Sequence, residues 1–147
     1  MNARLLKGSA LALILLPITL GHGGAALAQQ KPAPRTASTE EVNTYMTMSA
    51  INMCALAASK VPFKAAIDSS VAMVASVITD KHGSQISGAP AKLTRQQIIN
   101  ATVAETVLRV ERICGKNLPA AWKKELDPLV AQVKKAMDSA RTTAPRK

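Results

Sequence analysis

Residues 45–60, YMTMSAINMCALAASK, and residues 98–114, IINATVAETVLRVERIC, hold the only two cysteines of the chain, Cys54 and Cys114. Both runs repeat apolar residues at helical spacing. Cysteines so placed read as one disulfide clamping two helices of a small all-α domain. The alternatives are two buried thiols, or a redox-active or metal-bound pair, which the lack of a Cys-x-x-Cys spacing disfavours. Compartment decides among them, because an even cysteine count in a short domain favours a bridge where the surroundings oxidise. Linking positions as far apart as 54 and 114 would remove denatured-state entropy worth about 4 kcal/mol.

The start of the chain supplies the compartment. Residues 1–28 read as a secretory leader, with Arg4 and Lys7 before an apolar stretch from Ser9 to Leu20 and small residues at Ala26 and Ala28. Pro17 interrupts that stretch, which is shorter than the roughly 20 residues a spanning helix needs. Cleavage after Ala28 is therefore expected to release a periplasmic or secreted protein with no transmembrane anchor. No cysteine follows the cut, so a lipid-anchored form is not supported.

Removing the leader leaves 119 of the 147 residues, enough for one core. The mature net charge is +8, since the leader holds two of the 19 Lys and Arg and none of the nine Asp and Glu. Four of those cations, Lys31, Arg35, Arg146 and Lys147, lie in the Pro-, Ser- and Thr-containing ends 29–38 and 142–147, which composition predicts to be disordered. The predicted folded part, 39–141, is only mildly cationic.

Four helices are expected there. Ser38-Thr39-Glu40-Glu41 and Thr94-Arg95-Gln96-Gln97 read as capping boxes, the second with Leu93 and Ile98 as a hydrophobic staple. The first helix is apolar on nearly every side, with Met46 and Met53 on one face and Met48, Ile51 and Ala55 on another, so it is expected to be the most buried. Pro62 opens a second helix whose stripe is Ile67, Val71, Val74 and Ile78. The segment 83–92, GSQISGAPAK, is predicted to be the most mobile internal loop. The third helix is expected to bury Ile99, Val103, Thr106, Val110, Ile113 and Cys114. The last carries Trp122, Leu126, Leu129, Val133 and Met137 on its apolar side, and Pro128 is expected to kink it or split it into a fifth helix capped by Asp127. Short connections favour an up-down-up-down bundle with both cysteines toward one end.

No catalytic or cofactor motif emerges. His82, the one histidine of the mature chain, sits beside Gly83 at a predicted helix end, where capping or exposure explains it. Met46 and Met48 are about 200° apart around a helix, so core packing explains them better than copper binding. Glu40 and Glu41 are accounted for by capping, and Glu105 can pair with Arg109 one turn on. No cofactor or metal is expected. Arg109, Arg112, Lys116, Lys123, Lys124, Lys134 and Lys135 form a candidate surface for an unidentified protein or an anionic cell-envelope component. Nucleic acid is disfavoured by export and by having only Tyr45, Phe63 and Trp122 to stack bases.

The leader, the length and the cysteines bracketing the middle helices resemble short exported cyanobacterial proteins of unknown role, a likeness that implies no activity. More loosely, Cys54, Cys114 and the lysine-rich closing segment AWKKELDPLVAQVKKAM are similar in plan to periplasmic acid-stress chaperones of the HdeA type. That likeness implies opening in acid and capture of clients by the first helix. Three functions are thus expected in turn: a non-enzymatic helical module binding through a helix face or the 83–92 loop, an acid chaperone, and a small enzyme with a site assembled only in the tertiary structure.

Overall fold

The computed structural model describes residues 33–143. The predicted leader, 1–28, and the ends 29–32 and 144–147 lie outside the described residues. The fold is all-α, with helices α1 (Thr39–Ala58), α2 (Phe63–Asp80), α3 (Arg95–Cys114) and α4 (Ala120–Thr143), and a 3-10 turn at Gly115–Asn117 before the last.

Both capping boxes form. Ser38 Oγ accepts from the Glu41 amide at 3.1 Å, and the Ser38 amide donates back to the Glu41 carboxylate at 3.1 Å. Thr94 and Gln97 do the same at 3.2 and 2.8 Å. Helix α1 ends in a tight reversal, in which Lys60 takes a left-handed φ of 59° and the Val61 amide returns to the Leu56 carbonyl at 3.0 Å.

Helices α1, α2 and α3 pack against one another, whereas α4 lies chiefly along α3. Ser49 meets Thr106 at 3.1 Å and Cys54 is bonded to Cys114, so α1 and α3 run in the same direction. The disulfide joins Cα atoms 6.1 Å apart, within the usual span for a bridge. The core has two parts. Met53, Ala57, Phe63, Ala66, Val107, Val110, Trp122 and Leu126 fill one, toward the disulfide. Met46, Val74, Ala75, Ile78 and Ile98 fill the other, under the 83–93 loop.

Several expectations need correction. Helix α1 is not buried all round, because neighbours cover one side only. Ser49, Ala50, Met53 and Ala57 face inward, while Met48 is 56% and Ile51 54% exposed. The buried face of α3 is Ile98, Thr102, Thr106, Val107 and Val110, so Ile113 is exposed. Threonine is tolerated there because Thr102 donates to the Ile98 carbonyl at 2.7 Å and Thr106 pairs with Ser49. Pro128 sits inside an unbroken α4, and Asp127 starts no new helix. The carbonyl of Lys124 loses its helical donor, but both residues are exposed, so water can serve it. Residues 33–38 and the 83–92 loop hold each other in place through the Ala37 amide on Gln85 O (2.9 Å) and the Ser87 amide on Ala37 O (2.8 Å). Ala37 is consequently buried, against the expectation of a disordered tail.

Candidate functional site

Residues 42–59 contain no charged side chain, and α1 spends this run as a helix with one covered and one open side. Small residues, Ser49, Ala50 and Ala57, bring its inner side close to α2 and α3. Met46 and Met53 are buried beside them, while two other large side chains, Met48 and Ile51, stand outside with Ala55 and Ala58. On the α2 flank, exposed Met73 joins Tyr45, Met48, Val74 and Val77 around an apolar hollow of about 140 Å³. On the α3 flank, Met48 borders an open cleft with Glu40, Asn43, Thr44, Thr47 and Arg109. Met48 is therefore the crest between two grooves.

Arg109 was assigned by the sequence to a wet cationic surface, but it acts as a strut. Its guanidinium donates to Thr47 Oγ1 and Asn43 Oδ1, both at 2.9 Å, and to Glu105 at 3.2 Å, while its buried Nε has no partner among the described residues. Of the other expected cations, Lys134 pairs with Glu111 at 2.9 Å and Lys123 donates to the Lys116 carbonyl at 3.1 Å. Arg112, Lys116, Lys124 and Lys135 are exposed on α3, the 3-10 turn and α4. Acidic neighbours and the spread over three elements dilute this surface.

The second polar constellation surrounds His82, which is 0% exposed rather than a surface cap. Its Nδ1 lies 2.9 Å from the Arg35 carbonyl, an acceptor only, so Nδ1 carries a hydrogen and donates. Nε2 lies 3.0 Å from the Tyr45 hydroxyl, which also accepts from Lys81 Nζ at 3.1 Å. With its oxygen accepting from Lys81, the Tyr45 O–H is left to donate to Nε2. Beside it Arg35 makes a two-pronged ion pair with Glu41. This hydrogen bond, reinforced by the Ser38 amide, holds the Glu41 carboxyl down at about 2. The Tyr45 contact raises the Lys81 ammonium, with help from Glu41. These groups clasp residues 33–38 to α1 and the end of α2.

At the opposite end both cysteines are consumed by the bridge. Trp122 Nε1 donates to the Val61 carbonyl at 2.9 Å, and its ring meets Phe63 edge-on at 5.2 Å. Among the described residues no three His, Cys, Asp or Glu converge on a possible metal position. No helix among them is long and apolar enough to cross a membrane.

Residues 40–140 match the family described as a domain of unknown function, DUF8650. The chain belongs to this family. Comparison with curated proteins and with solved structures yields no match. The matched DUF8650 segment contains both cysteines, the open face of α1, Tyr45, His82 and Arg109, whereas Arg35, Ala37 and Ser38 of the clasp precede it. Two features of this DUF8650 domain escaped the sequence reading. The open face of α1 left one trace, a helix with no polar side. The His82 clasp left none, because its partners lie 37 and 47 positions away.

Proposed function

We propose that this DUF8650 protein is an exported, non-enzymatic helical module that binds a partner through the outer face of α1 and its α2 flank. The leader-like residues 1–28 and the disulfide support export. One observation carries the binding reading: Met48 and Ile51 stand more than half exposed on a helix without a charge across 42–59. Contiguous exposed apolar surface on a small domain marks interaction sites. The diluted cations of α3 and α4 favour this face over an anionic-envelope contact.

Affinity capture from periplasm or medium with the oxidised, leader-free chain tests the proposal. Met48→Glu is expected to lower retention of a captured partner by about thirtyfold, the loss of one interface anchor, while Lys124→Glu with Lys135→Glu leaves it unchanged. The reverse pattern would move binding to the basic surface, and equal retention by both variants would end the α1 reading.

A second reading, an acid-responsive chaperone, is favoured by the His82 clasp. Acid neutralises Glu41, whose carboxylate holds Arg35 at the start of α1 beside Lys81. Loosening residues 33–38 and the loop would uncover Met46, Ile78 and Ile98. A client-aggregation assay across pH tests this, with suppression appearing only in acid; unchanged aggregation at every pH removes the chaperone reading.

A further inference from the structure

We infer that the partner seated on this face is a second copy of the chain, with two α1 helices packed antiparallel about a two-fold axis near Ile51 and Asn52. The inference rests on the binding-face reading above and names the occupant of that face.

A two-fold interface must be self-complementary, each patch meeting its own image. The outer side of α1 meets that condition in size and in charge. Reading along it, the large side chains Met48 and Ile51 stand before the small ones, Ala55 and Ala58. An axis between positions 51 and 52 sets Met48 of one copy against Ala55 of the other, so each bulky side chain enters the gap left by a small one. Ile51 then lies across the axis from its own image and Asn52. Asn52 donates one N–H to Ser70 Oγ at 3.0 Å, which leaves its Oδ1 and second N–H to face the partner copy or water near the axis. Small residues at two successive turns let helix axes approach to about 8 Å, the close end of helix packing.

Charge points to the same arrangement. The only charges on α1 are Glu40 and Glu41 at its start, and the next along the chain is Lys60, just past its end. Glu41 is committed to Arg35, but neither Glu40 nor Lys60 joins an ion pair among the described residues, and both are exposed. Antiparallel packing sets Glu40 of one copy three residues, about 4.5 Å along the axis, from the level of Lys60 of the other, an offset that two long side chains can span, twice over by symmetry. It also sets helix dipoles head to tail. Parallel packing would instead juxtapose acid with acid. Met73 and Tyr45 on the α2 flank give the incoming helix an apolar wall.

Sedimentation equilibrium on the oxidised, leader-free chain tests the inference, with the dimer mass expected at micromolar concentration. Ile51→Glu, which sets two carboxylates near the axis, is expected to weaken association about a hundredfold, as removal of a central anchor does. Circular dichroism of the folded chain should not change, because position 51 is exposed in the single copy, while the melting temperature should lose its dependence on protein concentration. Glu40→Lys alone is expected to weaken association by about tenfold, given two exposed pairs per dimer, and adding Lys60→Glu should restore it. A wild-type chain that stays monomeric at high concentration, or an Ile51→Glu chain that still dimerises, overturns the inference. If the chain is monomeric but Met48→Glu still abolishes capture of another component, self-association falls and the binding face stands. If capture is also indifferent to Met48→Glu, both fall.

Discussion

At one end of the bundle Cys54 and Cys114 join α1 to α3 covalently, over a core that includes Phe63, Trp122 and Leu126. At the other, residues 33–38 and the 83–93 loop lie on α1 and α2 through Arg35, Glu41, Tyr45, Lys81 and His82, over Met46, Ile78 and Ile98. The first fastening is indifferent to protons and open to reductant. The second is indifferent to reductant and consists largely of titratable or ion-paired groups. A single small domain thus carries fastenings of different chemistry at its two ends, while the open face of α1 runs between them.

The contrast can be broken most forcefully at the disulfide. Replacing both cysteines with serine should cost about 4 kcal/mol in urea unfolding, the loop entropy the bridge withholds from the unfolded chain. Reductant should lower wild-type stability similarly and leave the double variant unchanged. At the other end, His82→Ala strands the Arg35 carbonyl and the Tyr45 hydroxyl and leaves a void, for a loss of about 3 kcal/mol. Tryptic cleavage after Arg35 should accelerate in that variant, while protection near Cys114 persists. Gly83 has a φ of +56°, and a Cβ there would come within 3.0 Å of the Pro34 side chain. Gly83→Ala should therefore destabilise by about 1 to 2 kcal/mol, the left-handed penalty for a residue with a Cβ, and should speed the same cleavage.

The smallest effect is the acid response of Glu41. Its folded value, about 2, lies below the ordinary 4.5, so folding favours the ionised carboxylate. That contribution is complete above pH 4.5 and is lost as pH falls toward 2. Stability followed by urea titration should therefore decline more steeply across this window in wild type than in Glu41→Gln, which lacks the carboxylate.

Much of the covalent end was legible in the sequence, and little of the proton-sensitive end was. Ser38 with Glu41, and Thr94 with Gln97, declare helix starts because a cap needs only residues three apart. Two cysteines after a leader-like segment leave one pairing to consider, and Cys54–Cys114 is the bridge found. His82 could not be placed from its neighbours, since a glycine beside a histidine at a helix end looks alike whether the ring caps a carbonyl of its own helix or is buried against the Arg35 carbonyl. Arg109 resembled a solvated cation because its acceptors, Asn43 and Thr47, belong to another helix. The same limit hid the open face: periodicity tells apolar from polar, and α1 offers no polar side by which Met48 could be told from Met53.

Pulsed hydrogen exchange on the oxidised, leader-free chain, after equilibration at neutral pH and at about pH 2, where the Glu41 carboxylate of the folded chain takes up its proton, tests the two-ended account most directly. The account predicts that amides of residues 37 and 84–93 lose protection in acid while those around Cys54, Val110 and Cys114 keep theirs. Loss of protection at both ends together, or at neither, would contradict it.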